Sequence, residues 1–271
     1  VGGVSTRIDA SRTFGKRFIA REILKDAQGI LTFRGTDAET GGDVVIKTAP
    51  REGAMLEVAR RLAREAPALR GMGGGAAPLI HVGTDNGRLF VVTPFIVGET
   101  LRERIRRGPL SIRDALAFAC DVLRQLDEAH AAGILHRDVK PENIIVSLGA
   151  LAPLATLVDF GFARAHQFTG WLADAPVAAL RYVSPEQAGL LDRGVDPRSD
   201  LYSFGVVLFE SLAGRPPFVF DDAGALLRAH QVERPPAIRS LSDHVPRALD
   251  AVLARLLRKD PRDRYQSAAA V

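Results

Sequence analysis

The chain has 271 residues, 46% hydrophobic and 25% charged, with 16 Pro, a composition that supports a packed core and excludes disordered, collagen-like and coiled-coil classes. Lys and Arg (36) exceed Asp and Glu (32) by four charges, only five of the basic residues are lysines, and acidic residues lie among them, so no nucleic-acid-binding stripe stands out. The single Cys excludes an internal disulfide, and the longest charge-free apolar run, Ile144 to Val158, contains Gly149 and Pro153 and falls short of the roughly 18–20 residues of a membrane helix.

Val1 to Arg12 shows no charged start followed by an apolar block, so a cytoplasmic location is expected. From Phe18 to Thr48, β-favouring pieces (Phe18-Ile19, Ile30 to Phe33, Val44 to Lys47) alternate with turn signals such as Glu39-Thr40-Gly41-Gly42, which predicts a small antiparallel sheet. Met55 to Leu69 reads as a helix, followed by strands at Pro78 to Val82 and Arg88 to Thr93 around an Asp85-Asn86-Gly87 turn. After Gly98 the texture becomes helical. Thr100 with Glu103 and Ser111 with Asp114 have capping-box spacing. Ile112, Leu116, Ala119, Leu123, Leu126 and His130 recur at helical spacing and predict one buried face, with Cys120 as a core or half-buried thiol. Further helices are expected at Asp200 to Ala213, Asp222 to His230, Arg247 to Arg258 and Gln266 to Val271.

The chemistry concentrates in His136-Arg137-Asp138-Val139-Lys140-Pro141-Glu142-Asn143, followed by Asp159-Phe160-Gly161. Phosphoryl transfer from a nucleotide needs this inventory: a carboxylate to orient the attacking hydroxyl, oxygen ligands for Mg²⁺ and a cation on the moving group. Asn143 and Asp159 offer the hard oxygens that Mg²⁺ prefers, and the strand-like flanks Ile144 to Val146 and Thr156 to Val158 would hold both.

These residues resemble the catalytic loop and metal-binding motif of protein kinases. The resemblance continues through Val44-Val45-Ile46-Lys47, Ser184-Pro185-Glu186, Asp200 and Arg264, and the wording Val139-Lys140-Pro141-Glu142 and Ser184-Pro185-Glu186-Gln187-Ala188 is similar to bacterial Ser/Thr kinases. It implies an α+β, two-lobed kinase fold: an N-terminal extension (1–16), a sheet-based N-lobe with one main helix (17–97) and a mainly helical C-lobe (98–271). The implied activity is transfer of the γ-phosphate of ATP, with Mg²⁺ or Mn²⁺, to Ser or Thr of a protein substrate. The alternative is a pseudokinase or weakly active module that binds nucleotide or a partner.

Carried over, Asp138 would be the catalytic base, Lys140 would neutralise the γ-phosphoryl group, and Asn143 and Asp159 would hold the metal. Lys47 would contact the phosphates and pair with a carboxylate of the following helix, for which Glu57 is favoured over Glu52 and Glu65. Thr93 would face the back of the nucleotide pocket, with Phe95 and Ile96 offering backbone hydrogen bonds to adenine. Asp200 would tie the catalytic loop to its helix and Arg264 would pair with Glu186. Two departures stand out. Lys25, Ala27 and Ile30 occupy the three slots of the glycine-rich lid, where only Gly29 could supply a turn, and Ala179 replaces the usual Thr before Tyr182. Thr169 is expected to be a phosphosite docking near Arg137 and Arg164. No nucleic-acid partner and no membrane contact are expected for this segment, which reads as part of a larger multidomain chain.

Overall fold

The computed structural model describes residues 12–27, 29–50, 54–71, 75–147, 155–160, 177–191 and 194–271. These divide into two compact units, the first made of residues up to 71 with Ala77–Ile96, the second of Gly75, Ala76 and Val97–Val271.

The first unit is a six-stranded antiparallel sheet and one helix. Its strands are β1 (Thr13–Phe14), β2 (Phe18–Ala27), β3 (Ile30–Asp37), β4 (Asp43–Pro50), β5 (His81–Asp85) and β6 (Arg88–Pro94), in the order β1-β2-β3-β4-β6-β5. Period-two alternation decides the faces: in β4, Val44, Ile46 and Thr48 are buried while Val45 and Lys47 take the other side. Phe14, Phe18, Phe33, Val44, Ile46, Phe90 and Val92 form the core on the first of these faces. Gly35 is required by close approach, because a Cβ there would lie 2.4 Å from the Ile19 carbonyl oxygen. Asp37 organises the β3–β4 turn by accepting from the Arg17 guanidinium, the Glu39 N–H and the Thr40 hydroxyl. The hydrogen bond from Arg17 holds its carboxyl well below the usual range. Helix α1 (Ala54–Gly71) buries Leu62, Ala66 and Leu69 at spacings of four and three. The strand expected from Pro78 starts only at His81.

The second unit contains β7 (Glu99–Thr100), α2 (Leu101–Arg106), α3 (Ile112–Ala131), a 3-10 turn (Pro141–Asn143), β8 (Ile144–Val146) and β9 (Ala155–Leu157). It continues with α4 (Val177–Leu180), α5 (Pro197–Ala213), α6 (Ala223–Val232) and α7 (Arg247–Leu256). Strands β7, β8 and β9 pair antiparallel in that order. Thr100 closes a full capping box with Glu103, whereas Ser111 accepts from the Asp114 N–H. Helix α5 is buried on nearly every side from Ser199 to Leu212, which makes it the post around which this unit packs.

Three sequence expectations need correction here. The buried face of α3 runs through Ala115, Phe118, Ala119, Val122, Gln125, Leu126 and Ala129, so Leu116 is 43% exposed. Cys120 lies on the exposed side and is not a core thiol. The helix expected over Gln266 to Val271 is only a 3-10 turn at Ala268–Ala270.

Candidate active site

In the second unit the loop after α3 is built around the buried carboxylate of Asp200 on α5. Asp200 Oδ2 accepts from the His136 N–H (2.9 Å) and from His130 Nε2 (2.9 Å), and Oδ1 accepts from the Arg137 N–H (2.7 Å). This clamp holds Arg137 at φ +64°, a left-handed conformation that side-chain-bearing residues disfavour. His136 is buried between two fixed partners: Nε2 donates to the Val158 carbonyl (2.8 Å) and Nδ1 accepts from the Asp138 N–H (3.2 Å). Because a carbonyl only accepts and an amide N–H only donates, these contacts assign the neutral Nε2–H tautomer. The Phe160 ring meets the imidazole edge-on at 4.6 Å between centroids.

Asp138 is therefore delivered on a pinned backbone. Its Oδ2 accepts from Lys140 Nζ at 2.6 Å and from Asn143 Nδ2 at 3.0 Å, and the same Nδ2 reaches the Asp138 carbonyl at 2.9 Å. The Asn143 carbonyl accepts from the Val158 N–H (2.9 Å), which ties the 3-10 turn to the chain entering Asp159, itself at φ +72°. The structure thus brings together Asp138, Lys140 and Asn143 in direct contact. The Val158–Asn143 backbone bond places the chain entering Asp159 beside that group.

Two ion-pair networks support the adjoining segment of residues 177–191. Arg102 of α2 donates to Glu142 (2.8 Å) and Glu210 (2.7 Å) and also bonds the Tyr182 hydroxyl, which in turn donates to Glu210. Burial, with Glu210 next to it, pushes the Tyr182 phenol far above its ordinary range; for Arg102 burial is the largest influence and acts to lower its pKa, but the hydrogen bonds to Glu210 and Glu142 and the nearby charges together outweigh it and raise it. Arg264 and Glu186 form a fully buried pair at 2.6 and 2.9 Å, and Arg264 also donates to the carbonyls of Arg198, Arg258 and Lys259. Asp200 and Arg264 thus make the contacts expected of them. The Arg102, Tyr182 and Glu210 network escaped the sequence reading, since an arginine in an Arg-rich helix carries no distinguishing signal.

In the first unit Lys47 lies mid-strand on β4, opposite Thr32 of β3 and Val91 of β6, and is half-buried. Glu57 lies in α1, but its side chain falls outside the described residues, while Glu65 pairs with Arg61 at 3.9 Å. Thr93 pairs with Val45 at the end of β6. The N–H of Phe95 donates to the Asp43 carbonyl (3.0 Å) and its ring lies 4.3 Å from the Arg34 guanidinium, so that N–H is already engaged within the first unit. The hairpin of β2 and β3 pairs down to Ala27 and Ile30, and the turn residue Gly29 takes φ +76°. Arg88 fastens this turn by donating to the Gly29 carbonyl at 2.7 Å. Thr169 and Arg164 lie outside the described residues.

The donor set fits a divalent metal. Asn143 spends its Nδ2 on Asp138, which leaves its Oδ1 as the oxygen available to a cation, and a carboxylate at Asp159 is a hard oxygen donor of the kind Mg²⁺ takes. Among the described residues, no group of three His, Cys, Asp or Glu forms a separate metal cluster.

Comparison with known proteins agrees with this geometry. The protein kinase domain family matches residues 29–271, and the chain belongs to that family. Serine/threonine-protein kinase PknB of Mycolicibacterium smegmatis is 42% identical over 194 residues, covering 69% of this chain and 30% of the relative. Serine/threonine-protein kinase PksC of Streptomyces coelicolor is 34% identical over 268 residues, covering 95% of this chain and 48% of the relative. The chain thus spans less than half the length of these curated relatives. The crystal structure of the Mycobacterium tuberculosis PknI kinase domain, C20A mutant, superposes with a TM-score of 0.75 at 24% identity, over 98% of this chain and 96% of that one, which establishes the fold. Family membership implies use of ATP and a divalent metal in general terms. No described helix is long and apolar enough to cross a membrane.

Proposed function

We propose that this chain is the catalytic domain of a serine/threonine protein kinase that transfers the γ-phosphoryl group of ATP, with Mg²⁺ or Mn²⁺, to a protein hydroxyl. The convergence of Lys140 and Asn143 on one oxygen of Asp138 carries the reading. It fixes the carboxylate while leaving Oδ1 to orient the substrate hydroxyl and take its proton. Lys140, released toward the phosphoryl group, would offset charge developing there, and Asn143 and Asp159 would hold the metal, which supplies electrostatic stabilisation of the transferring phosphate when bound. Lys47, with Glu57 as its partner, contacts the phosphates, while Gly29, Thr93 and the Ile96 amide line the nucleotide site.

The residue-level roles and the division into an extension (1–16), an N-lobe (17–97) and a C-lobe (98–271) form one proposal with this activity. The names of the relatives support the choice of Ser and Thr over Tyr. Arg137 Nε is buried without a hydrogen-bond partner among the described residues, which suits it to receive a phosphate carried on Thr169. A cytoplasmic placement of this domain, within a longer chain, belongs to the same reading. The pseudokinase alternative is not favoured, because Lys47, Asp138, Asn143 and Asp159 are all retained.

The test is incorporation of label from γ-labelled ATP with Mg²⁺ into the protein itself and a generic basic protein. Asp138→Asn is expected to lower the rate by about 10²–10⁴-fold while nucleotide still raises the melting temperature. Equal incorporation by both proteins would contradict the assignment of the base.

A further inference from the structure

Gln187 makes a contact that none of the roles above uses. Its Nε2 donates to the Arg137 carbonyl at 3.0 Å, and its Oε1 accepts from the Ser184 N–H (3.2 Å) and Ser184 hydroxyl (3.0 Å). The backbone N–H of Gln187 donates back to Ser184 Oγ (3.3 Å). The orientation of the amide is not arbitrary: the Ser184 N–H can only donate and the Arg137 carbonyl can only accept, so Oε1 and Nε2 cannot exchange places.

The Arg137 carbonyl belongs to the peptide plane that enters Asp138. The other edge of that plane, the Asp138 N–H, is held by His136 Nδ1, and the next carbonyl, that of Asp138, is held by Asn143 Nδ2. Asp200 secures the plane before it through the Arg137 N–H. His136, Asn143 and Asp200 pin this backbone from the catalytic loop and from α5. Gln187 is, among the described residues, the only member of the 177–191 segment to hydrogen-bond residues 136–143 directly. The strained φ of Arg137 makes that bond consequential, because a residue in a sparsely populated conformation relaxes when one of its restraints goes.

We infer that Gln187 is a positioning residue: it sets the peptide plane that carries Asp138 and so couples the conformation of the 177–191 segment to the catalytic loop. Position 179 is alanine and has no hydroxyl with which to make such a link. Ser184 acts as the orienting partner, holding the acceptor end of the amide so that the donor end faces Arg137. The inference rests on the phosphoryl-transfer reading for its kinetic consequence, though not for its structural one.

The decisive variant is Gln187→Glu, which keeps size and an acceptor for Ser184 but replaces the donor with a second oxygen facing the Arg137 carbonyl. Gln187→Met, of similar length and apolar, guards against misfolding of the charged variant. Both should lower kcat for a peptide substrate about tenfold while KM for ATP stays within about twofold. Ser184→Ala should fall between them and wild type, and should add little on top of Gln187→Met, since the two side chains act as one unit. Hydrogen exchange across residues 136–139 separates this inference from the activity itself. Faster exchange there in both Gln187 variants, with little change in melting temperature, supports the positioning role even in a domain that transfers no phosphate. Exchange like that of wild type in both variants, or a wild-type kcat in an active Gln187→Glu protein, overturns it.

Discussion

The most demanding single residue is Arg264. Its guanidinium has no exposure and is matched by Glu186 on one side and three carbonyls on the other, so every buried charge and donor has a partner. Ser199 adds a bond to Glu186 Oε1 at 2.7 Å. Truncating one member strands the other as a buried charge. Arg264→Met is therefore expected to destabilise the domain by about 3–5 kcal/mol, read as a shift in the urea midpoint at unchanged slope. A loss no larger than that of a surface ion pair, about 1 kcal/mol or less, would mean that Glu186 finds water or another cation. Residues with rare chemistry were legible in the sequence for the same reason that makes them costly to change. Asp138, Lys140 and Asn143 stand at fixed separations in a chain with five lysines, whereas Gln187 and Arg102 are ordinary residues whose importance comes only from what the fold places beside them.

Elements were legible where a local interaction defines them. The start of α2 is fixed by Thr100, whose hydroxyl accepts from the Glu103 N–H while the Glu103 carboxylate accepts from the Thr100 N–H. The bond from the Thr100 N–H holds the Glu103 carboxyl below its ordinary range. Thr100→Ala should cost about 1 kcal/mol in unfolding free energy, measurable by thermal or urea denaturation. A neutral result would show that α2 is held by burial of Leu101 and Ile105 alone. Where tertiary packing decides, the sequence misled. The face of α3 read from the sequence is shifted in the fold: Ala119 and Leu126 are buried as expected, but Ala115, Phe118, Val122 and Ala129 complete the buried face while Leu116 is exposed. The hairpin of β2 and β3 was legible even though Lys25, Ala27 and Ile30 fill the usual glycine slots, because Gly29, the residue the sequence offered for the turn, takes the left-handed conformation.

At the scale of the whole molecule, stability against acid is set by burial, and His230 is the clearest case. It is 1% exposed, its Nδ1 lies 2.9 Å from the Tyr202 hydroxyl, and the Phe218 ring packs edge-on against it. Burial first, and then the nearby charge of Lys259, lower its pKa from 6.5 to about 3. Lys259 faces the same cluster, donating to the Ala229 carbonyl at 2.9 Å, and burial lowers its own pKa to about 8; the Arg264 guanidinium lies 4.8 Å from the centre of the Tyr202 ring. Above pH 6.5 the imidazole is neutral in both states and contributes no slope. As pH falls from 6.5 toward 3, the unfolded chain takes up a proton that the folded chain refuses, and stability drops by up to about 1.4 kcal/mol per pH unit from this group. Lys259 acts in a separate window, from 10.5 down to about 8, where the unfolded chain again binds the extra proton and stability falls as pH is lowered. Below pH 8 its contribution is constant, so it does not obscure the acid limb. His230→Gln, which keeps an acceptor for Tyr202 but does not titrate, should therefore narrow its stability gap to wild type as pH is lowered from 6.5 to 4.5, followed by urea denaturation at each pH. Parallel curves over that interval would show that the imidazole protonates in place, and that the cluster of Tyr202, Phe218 and Lys259 accommodates the added charge.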